Sequence, residues 1–129
     1  MTVDLTCLVL NALWGLVLVF VEITGKTRAG GPAWNAGNRD TEPEVPEWVK
    51  RAGRALSNHK ENFPLFLTAV IVVHLAHAND STSAVAAVTY VVARVLHGAF
   101  YIGGVKRVRT LVFIVGTLSN FVILSRLVL

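Results

Sequence analysis

The chain has 129 residues, 53% of them hydrophobic and only 16% charged, with a mean hydropathy of +0.58. That is more apolar than a soluble domain of this length, and its apolar residues come in long runs, so the composition points to one small polytopic membrane unit spanning residues 1–129. The net charge of +4 could suit a nucleic acid, but in so apolar a chain the excess of Lys and Arg reads as a topology signal, and no nucleic-acid partner is expected.

The first apolar run, Leu5 to Ile23, is preceded by an acid and by no basic residue, and it lacks an obvious small-residue cleavage site. It reads as a retained helix over about residues 3–23. Cys7 is the only cysteine, so it forms no intrachain disulfide and no zinc site, and reads as a packing residue. Glu22, near the inner end of this span, is expected to pair with a base from the loop that follows.

Residues 24–46 are polar, with "GGPAWNAGN" at their centre. Such a density of Gly, Pro and Asn predicts a loop without regular structure. The second span is expected over about residues 47–78, starting near Pro46 and carrying its apolar part from Phe63 to Ala78. Pro64 should kink it or cost it a hydrogen bond. His59 is expected at the interface, solvated. His74 and His77 lie three apart, but only Asp80 is near to complete a ligand set, so no metal site is expected. The "NDS" turn leads to a third span over about 83–103, and "GGVKRVR" leads to a fourth over about 107–128. "NDS" also fits a glycosylation sequon, a weak signal at that length.

Each segment approaches the roughly 20 residues needed to cross a ~30 Å hydrocarbon core. The expected fold is therefore all-α: an antiparallel bundle of four transmembrane helices with short links between the last three. Lys26, Arg28, Arg39, Lys50, Arg51, Arg54 and Lys60 lie on or beside the first connection, and Lys106, Arg107 and Arg109 on the third, whereas the other side holds Asp4, Asp80 and Arg126. The positive-inside rule puts loops 1 and 3 in the cytoplasm and both termini outside.

Several polar residues sit where a membrane span should be apolar. Arg94, His97 and Tyr101 are spaced i, i+3, i+7 and share one helical face. Arg51, Arg54, Asn58 and Glu61 form a second stripe that descends into the second span. Packing these helices antiparallel would bring Glu61 or Asn58 toward Arg94, and a buried charge is far less costly when partnered. The pair could simply fix helix register. Alternatively, a cavity lined by Arg28, Arg94 and Arg109 would attract an anion, because guanidinium binds carboxylates in a bidentate fork. Lys106 and Arg107 read as interfacial anchors. Thr110 and Tyr101 lie near Arg109 in the chain and could share its site.

"RALSNHKEN", "ARVLHGAFYIGG", "ITGKTR" and "RTLVF", in their helical order, resemble signature segments of the MAPEG family, membrane-associated proteins in eicosanoid and glutathione metabolism. The resemblance spans the whole chain. It implies a homotrimer of four-helix bundles that binds glutathione as co-substrate between subunits, near the cytoplasmic face. It implies that Arg28, Arg54, Asn58, Glu61, Arg94, His97 and Tyr101 line that site. Arg109 matches the helix-four arginine that stabilises the glutathione thiolate, with Thr110 as the hydroxyl residue after it, if the link after "YIGG" is one residue shorter. Leu56 and Ser57 replace polar and basic residues found in some glutathione-using members. The implied activity is a membrane glutathione transferase or peroxidase acting on a hydrophobic small-molecule substrate that arrives through membrane lipid. The alternative is a non-catalytic lipid-binding or scaffold member. A chain this compact fits a bacterial inner membrane best, with the endoplasmic reticulum as the alternative.

Overall fold

Thr2 opens the first helix, α1 (Val3–Gly30): its side chain accepts a hydrogen bond from the Leu5 amide at 3.3 Å, and Asp4 sits in the first turn, where the helix dipole favours an acid. The computed structural model describes all of residues 1–129. At about 1.5 Å per residue α1 is about 42 Å long, more than a ~30 Å core, so it projects beyond the apolar layer.

The loop expected over 24–46 is only partly a loop. Nothing in "TGKTRA" breaks the helix, which runs on to Gly30. Gly31 then turns the chain at φ 87°, a left-handed value suited to glycine, and its amide caps the Thr27 carbonyl at 2.8 Å. Pro32 starts a five-residue helix, α2 (Pro32–Ala36), because its fixed φ fits a first helical position. The remainder is braced by Trp34, whose Nε1 donates to the Thr41 carbonyl at 2.6 Å.

The third helix, α3 (Glu47–Leu75), starts after Pro46 as expected and ends three residues short of Ala78, where His77 adopts φ 52°. It remains helical through Pro64, so the expected disruption is confined to the bond that proline cannot donate. In the preceding turn the Asn58 carbonyl accepts from Asn62 Nδ2 (2.8 Å), and the Asn62 carbonyl accepts from the Tyr90 hydroxyl (3.3 Å). Helix α4 (Ser81–Gly103) is opened by a reciprocal cap: Asp80 accepts from the Ser83 amide at 2.9 Å, and Ser83 Oγ accepts from the Asp80 amide at 3.1 Å. Gly104, at φ 79°, ends it, and α5 (Lys106–Ser125) follows at once.

Helices α3 and α4 form the middle of the bundle. Helix α1 packs on both from one side and α5 packs on both from the other, while α1 and α5 do not meet. The glycine contacts set the register: Gly15 lies against His59 and Gly53 against Glu22, so α1 and α3 are antiparallel, whereas Gly98 lies against Trp14. One core cluster joins Cys7, Phe66, Val70, Tyr90 and Ile123, with the Phe66 and Tyr90 rings stacked at 4.0 Å. Ala69, Ala86 and Ala87 keep the helices close there. A second cluster of Leu18, Ala55 and Leu56 lies at the basic end.

Helices α1, α4 and α5 are long and apolar enough to cross a membrane. Their outward faces carry large apolar side chains such as Leu13, Phe20, Leu111 and Phe121, as a lipid-facing helix requires. The expected second span, α3, has the length but not the composition, because its first half is polar and exposes Arg54, Ser57 and Glu61, although its second half exposes Leu65, Leu67, Val72 and Leu75.

Candidate functional site

The C-terminus of α1, the N-terminus of α3, the C-terminus of α4 and the N-terminus of α5 come together at one end. Arg51 ties α3 to α4 there, its Nε donating to the Ile102 carbonyl at 2.8 Å. The basic residues of the first and third connections therefore share this end of the bundle.

Arg94 is 3% exposed, and its Nη2 donates to Asn58 Oδ1 at 2.8 Å. Of the two partners expected for it, Asn58 is the one it meets. Glu61 faces outward and accepts from Ser57 Oγ at 3.4 Å. The reason is rotational: three residues turn a helix by about 300°, so Glu61 stands about 60° round from Asn58. That offset is enough to move its carboxylate from the α4 interface to the surface. Arg94 thus stays a buried cation without a carboxylate, and its Nε has no partner.

His97 and Tyr101 continue the same face of α4. The buried His97 ring meets Tyr101 edge-on at 5.6 Å and tilts against Phe113 of α5 at 5.8 Å. The opposite partner of Tyr101 is Arg109, whose guanidinium lies 4.2 Å from the ring centroid, within the range of a cation–π contact. Tyr101 and Arg109, near neighbours across the α4–α5 link, are thus in contact. Thr110 does not join them: it is exposed, and its hydroxyl donates back to the Lys106 carbonyl at 3.4 Å.

The other expected residues stand apart within one chain. Arg54 is exposed beside a polar hollow of about 370 Å³ that also holds Lys26, Glu22 and Glu42. Glu22 pairs with Lys26 at 3.1 Å, as expected of a base from the following segment, and Lys26 also reaches Glu42 at 3.3 Å. Arg28 lies by a separate hollow of about 530 Å³ at the end of α1.

Two polar groups are buried against or beyond expectation. Tyr90 lies one turn before Arg94 and is fully buried with its hydroxyl on Asn62. Its i, i+4 spacing to Arg94 was the available signal. His59, expected to be solvated, is only 5% exposed and sits between Gly15 and Phe63, because glycine leaves room for the ring against α1. At the far end, His74 Nδ1 lies 3.4 Å from Asn79 Nδ2, and His77 is exposed. Asp80 there is held below the usual carboxylate range by the Ser83 amide it accepts from, and secondarily by Arg126 at 3.1 Å.

The arrangement offers a buried cation on a neutral partner and a second cation parked on an aromatic face, one at each end of the Arg94–Tyr101 stripe. The MAPEG family model matches residues 4–129. Comparisons with curated proteins and with solved structures give no significant match.

Proposed function

The chain belongs to the MAPEG family, which includes glutathione transferases, and on that premise we propose that it is a membrane glutathione transferase or peroxidase acting on hydrophobic electrophiles. The observation that carries this reading is a pair of arginines with no carboxylate partner, Arg94 on Asn58 and Arg109 of α5 on Tyr101, at the two ends of the α4 stripe. Glutathione has two carboxylates, an amine and a thiol. Arginines suit the carboxylates, and the outward Glu61 suits the amine.

The thiol ordinarily ionises near 8.5, so little thiolate exists at neutral pH. A guanidinium in a site of low dielectric favours the charged form, and Arg109 is the group proposed for that role. The thiol proton leaves to solvent. The thiolate sulfur then forms a bond to an electrophilic carbon of a substrate that enters from the bilayer, and that carbon's leaving group departs with the electron pair. No side chain is covalently modified.

In this reading the protein is a homotrimer with glutathione between subunits. Support comes from α3, whose outward stripe of Arg54, Ser57, Glu61 and Thr68 is poorly suited to lipid and well suited to a second copy or a wet axis. Arg28, Arg54 and Glu61, which one chain leaves apart from Arg94, would then serve across subunit boundaries. Helix α3 would be the second of four spans, the basic end would be cytoplasmic, and a bacterial inner membrane would be the host membrane. The second reading is a non-catalytic lipid-binding or scaffold member, favoured by Leu56 and Ser57, which put no charge beside Asn58.

The test is calorimetric glutathione binding by the detergent-solubilised protein, followed by conjugation of a model electrophile. Binding with turnover that falls at least tenfold in Arg109→Ala supports the first reading. Binding with turnover unchanged in Arg109→Ala removes Arg109 from the thiolate role. No binding removes glutathione from the account and leaves the second reading.

A further inference from the structure

The hollow of about 530 Å³ between the end of α1 and the start of α2 is lined by Thr24, Thr27, Arg28 and Asn35, and by no carboxylate. Arg28 makes no ion pair and no hydrogen bond within the chain. The Thr24 and Thr27 hydroxyls are also unengaged, in contrast to Thr89 and Thr117, which donate to the carbonyl four residues back.

Asn35 is held in one orientation. Arg39 Nη2 donates to Asn35 Oδ1 at 2.6 Å, and Arg39 Nε donates to the Asn35 carbonyl at 3.0 Å. A guanidinium only donates, so the amide atom facing it is the oxygen, and Nδ2 is left pointing elsewhere with two hydrogens to give. Arg39 is itself fixed: its guanidinium lies 5.5 Å from the Trp34 ring centroid, Trp34 is tied to Thr41, and Arg39 adopts the uncommon φ of 57°. A left-handed backbone and three side-chain contacts thus fix the Asn35 amide in the wall of a hollow that Arg28 also lines.

We propose that this hollow is an oxyanion subsite in which Asn35 Nδ2 and Arg28 bind together, with Arg39 as the positioning residue that aims the amide. The ligand group is a carboxylate or a phosphate. Two sources share that chemistry: a carboxylate of glutathione, which rests on the function proposed above, and the phosphate of an anionic lipid, which does not.

Calorimetry on the detergent-solubilised full chain separates them, using glutathione, its two single-carboxylate monoesters, and dihexanoylphosphatidylglycerol against dihexanoylphosphatidylcholine. The probed variants are Asn35→Ala, Asn35→Asp, Arg28→Ala and Arg39→Ala, each checked for an unchanged melting temperature and elution volume. Asn35→Asp keeps the Arg39 contact and removes the donor, so it probes binding without loosening the loop. For a hydrogen bond to a charged group, loss of Asn35 or Arg28 should weaken binding about tenfold, and loss of the Arg39 brace about threefold. If the source is glutathione, one monoester binds the native chain as weakly as glutathione binds Asn35→Ala, and that monoester is insensitive to the substitution. If glutathione does not bind at all, the function proposed above fails, yet the subsite stands if phosphatidylglycerol binding depends on Asn35 and Arg28 and exceeds that of phosphatidylcholine. If neither ligand's binding changes in Asn35→Asp and Arg28→Ala, the subsite does not exist.

Discussion

Arg94 and Asn58 meet across 2.8 Å between two antiparallel helices, and this contact holds the one fully interior cation of the protein. Its neutrality matters. A carboxylate in Asn58's place would quench the charge, whereas an amide orients the guanidinium and leaves its charge uncompensated. Asn58→Leu should therefore destabilise the fold by about 1–3 kcal/mol, since a buried charged donor loses its acceptor. The double variant Asn58→Leu with Arg94→Leu should recover much of that loss, because removing both members of a buried polar pair is often neutral. Thermal unfolding in detergent checks both. An unchanged midpoint in Asn58→Leu would show that the contact does not hold the helices.

Tyr101 serves Arg109 through its ring face, so its hydroxyl should matter less than its aromaticity. If the proposed glutathione site holds, Tyr101→Phe keeps the face and should keep glutathione thiolate formation within about twofold, while Tyr101→Leu loses a cation–π contact worth ~0.5–2 kcal/mol. Ultraviolet absorbance of the bound thiolate against pH reads this directly. In Tyr101→Leu the apparent ionisation should move up toward the ~8.5 of a free thiol. Equal profiles in the two variants would mean that the stack does not position Arg109.

Two glycines at helix contacts should respond differently to alanine. A Cβ on Gly98 would come 2.7 Å from the Trp14 ring, a rigid neighbour pinned between α1 and α4, so Gly98→Ala should cost about 1–3 kcal/mol. A Cβ on Gly53 would come 2.9 Å from the Oε1 tip of Glu22, the far end of a flexible chain that can turn aside. Gly53→Ala should be near neutral or slightly stabilising, because alanine is the better helix former by about 1 kcal/mol. Paired melting curves decide whether the contact's stiffness, not its distance, sets the outcome.

Asp80 caps α4 and pairs with Arg126, and both interactions favour its charged form. Its folded ionisation therefore lies below the unfolded value near 3.9, so its contribution is complete above about pH 4 and is lost as the pH falls through the lower folded value. Asp80→Asn retains a capping oxygen without a charge to titrate. The melting temperature of the native chain should thus fall toward that of Asp80→Asn as the pH drops below about 4, and the two should differ most at neutral pH. A constant gap across that range would mean that Asp80 ionises alike in the folded and unfolded states.

Much of this was legible in the residues. The spacing of Arg94, His97 and Tyr101 places them on one face whatever they pack against, since 3.6 residues per turn is a local property. The start after Pro46 and the gathering of bases at one end are equally local or compositional. Less legible was the segment after Ile23, where two consecutive glycines read as loop although only Gly31 takes the conformation that glycine permits. His59 was misread because its burial depends on the absence of a side chain at Gly15, 44 residues earlier.

The sequence by itself determined the helices, their faces, the sidedness of charge and, through its motifs, the family. Only the tertiary structure decided which member of a face meets which partner. Rotation of one helix about its axis is set by packing against its neighbours, and a rotation of about 60° is the whole difference between Asn58 at Arg94 and Glu61 at the surface. The same dependence governs Arg109, whose seat on Tyr101 follows from how tightly Gly104 turns α4 into α5.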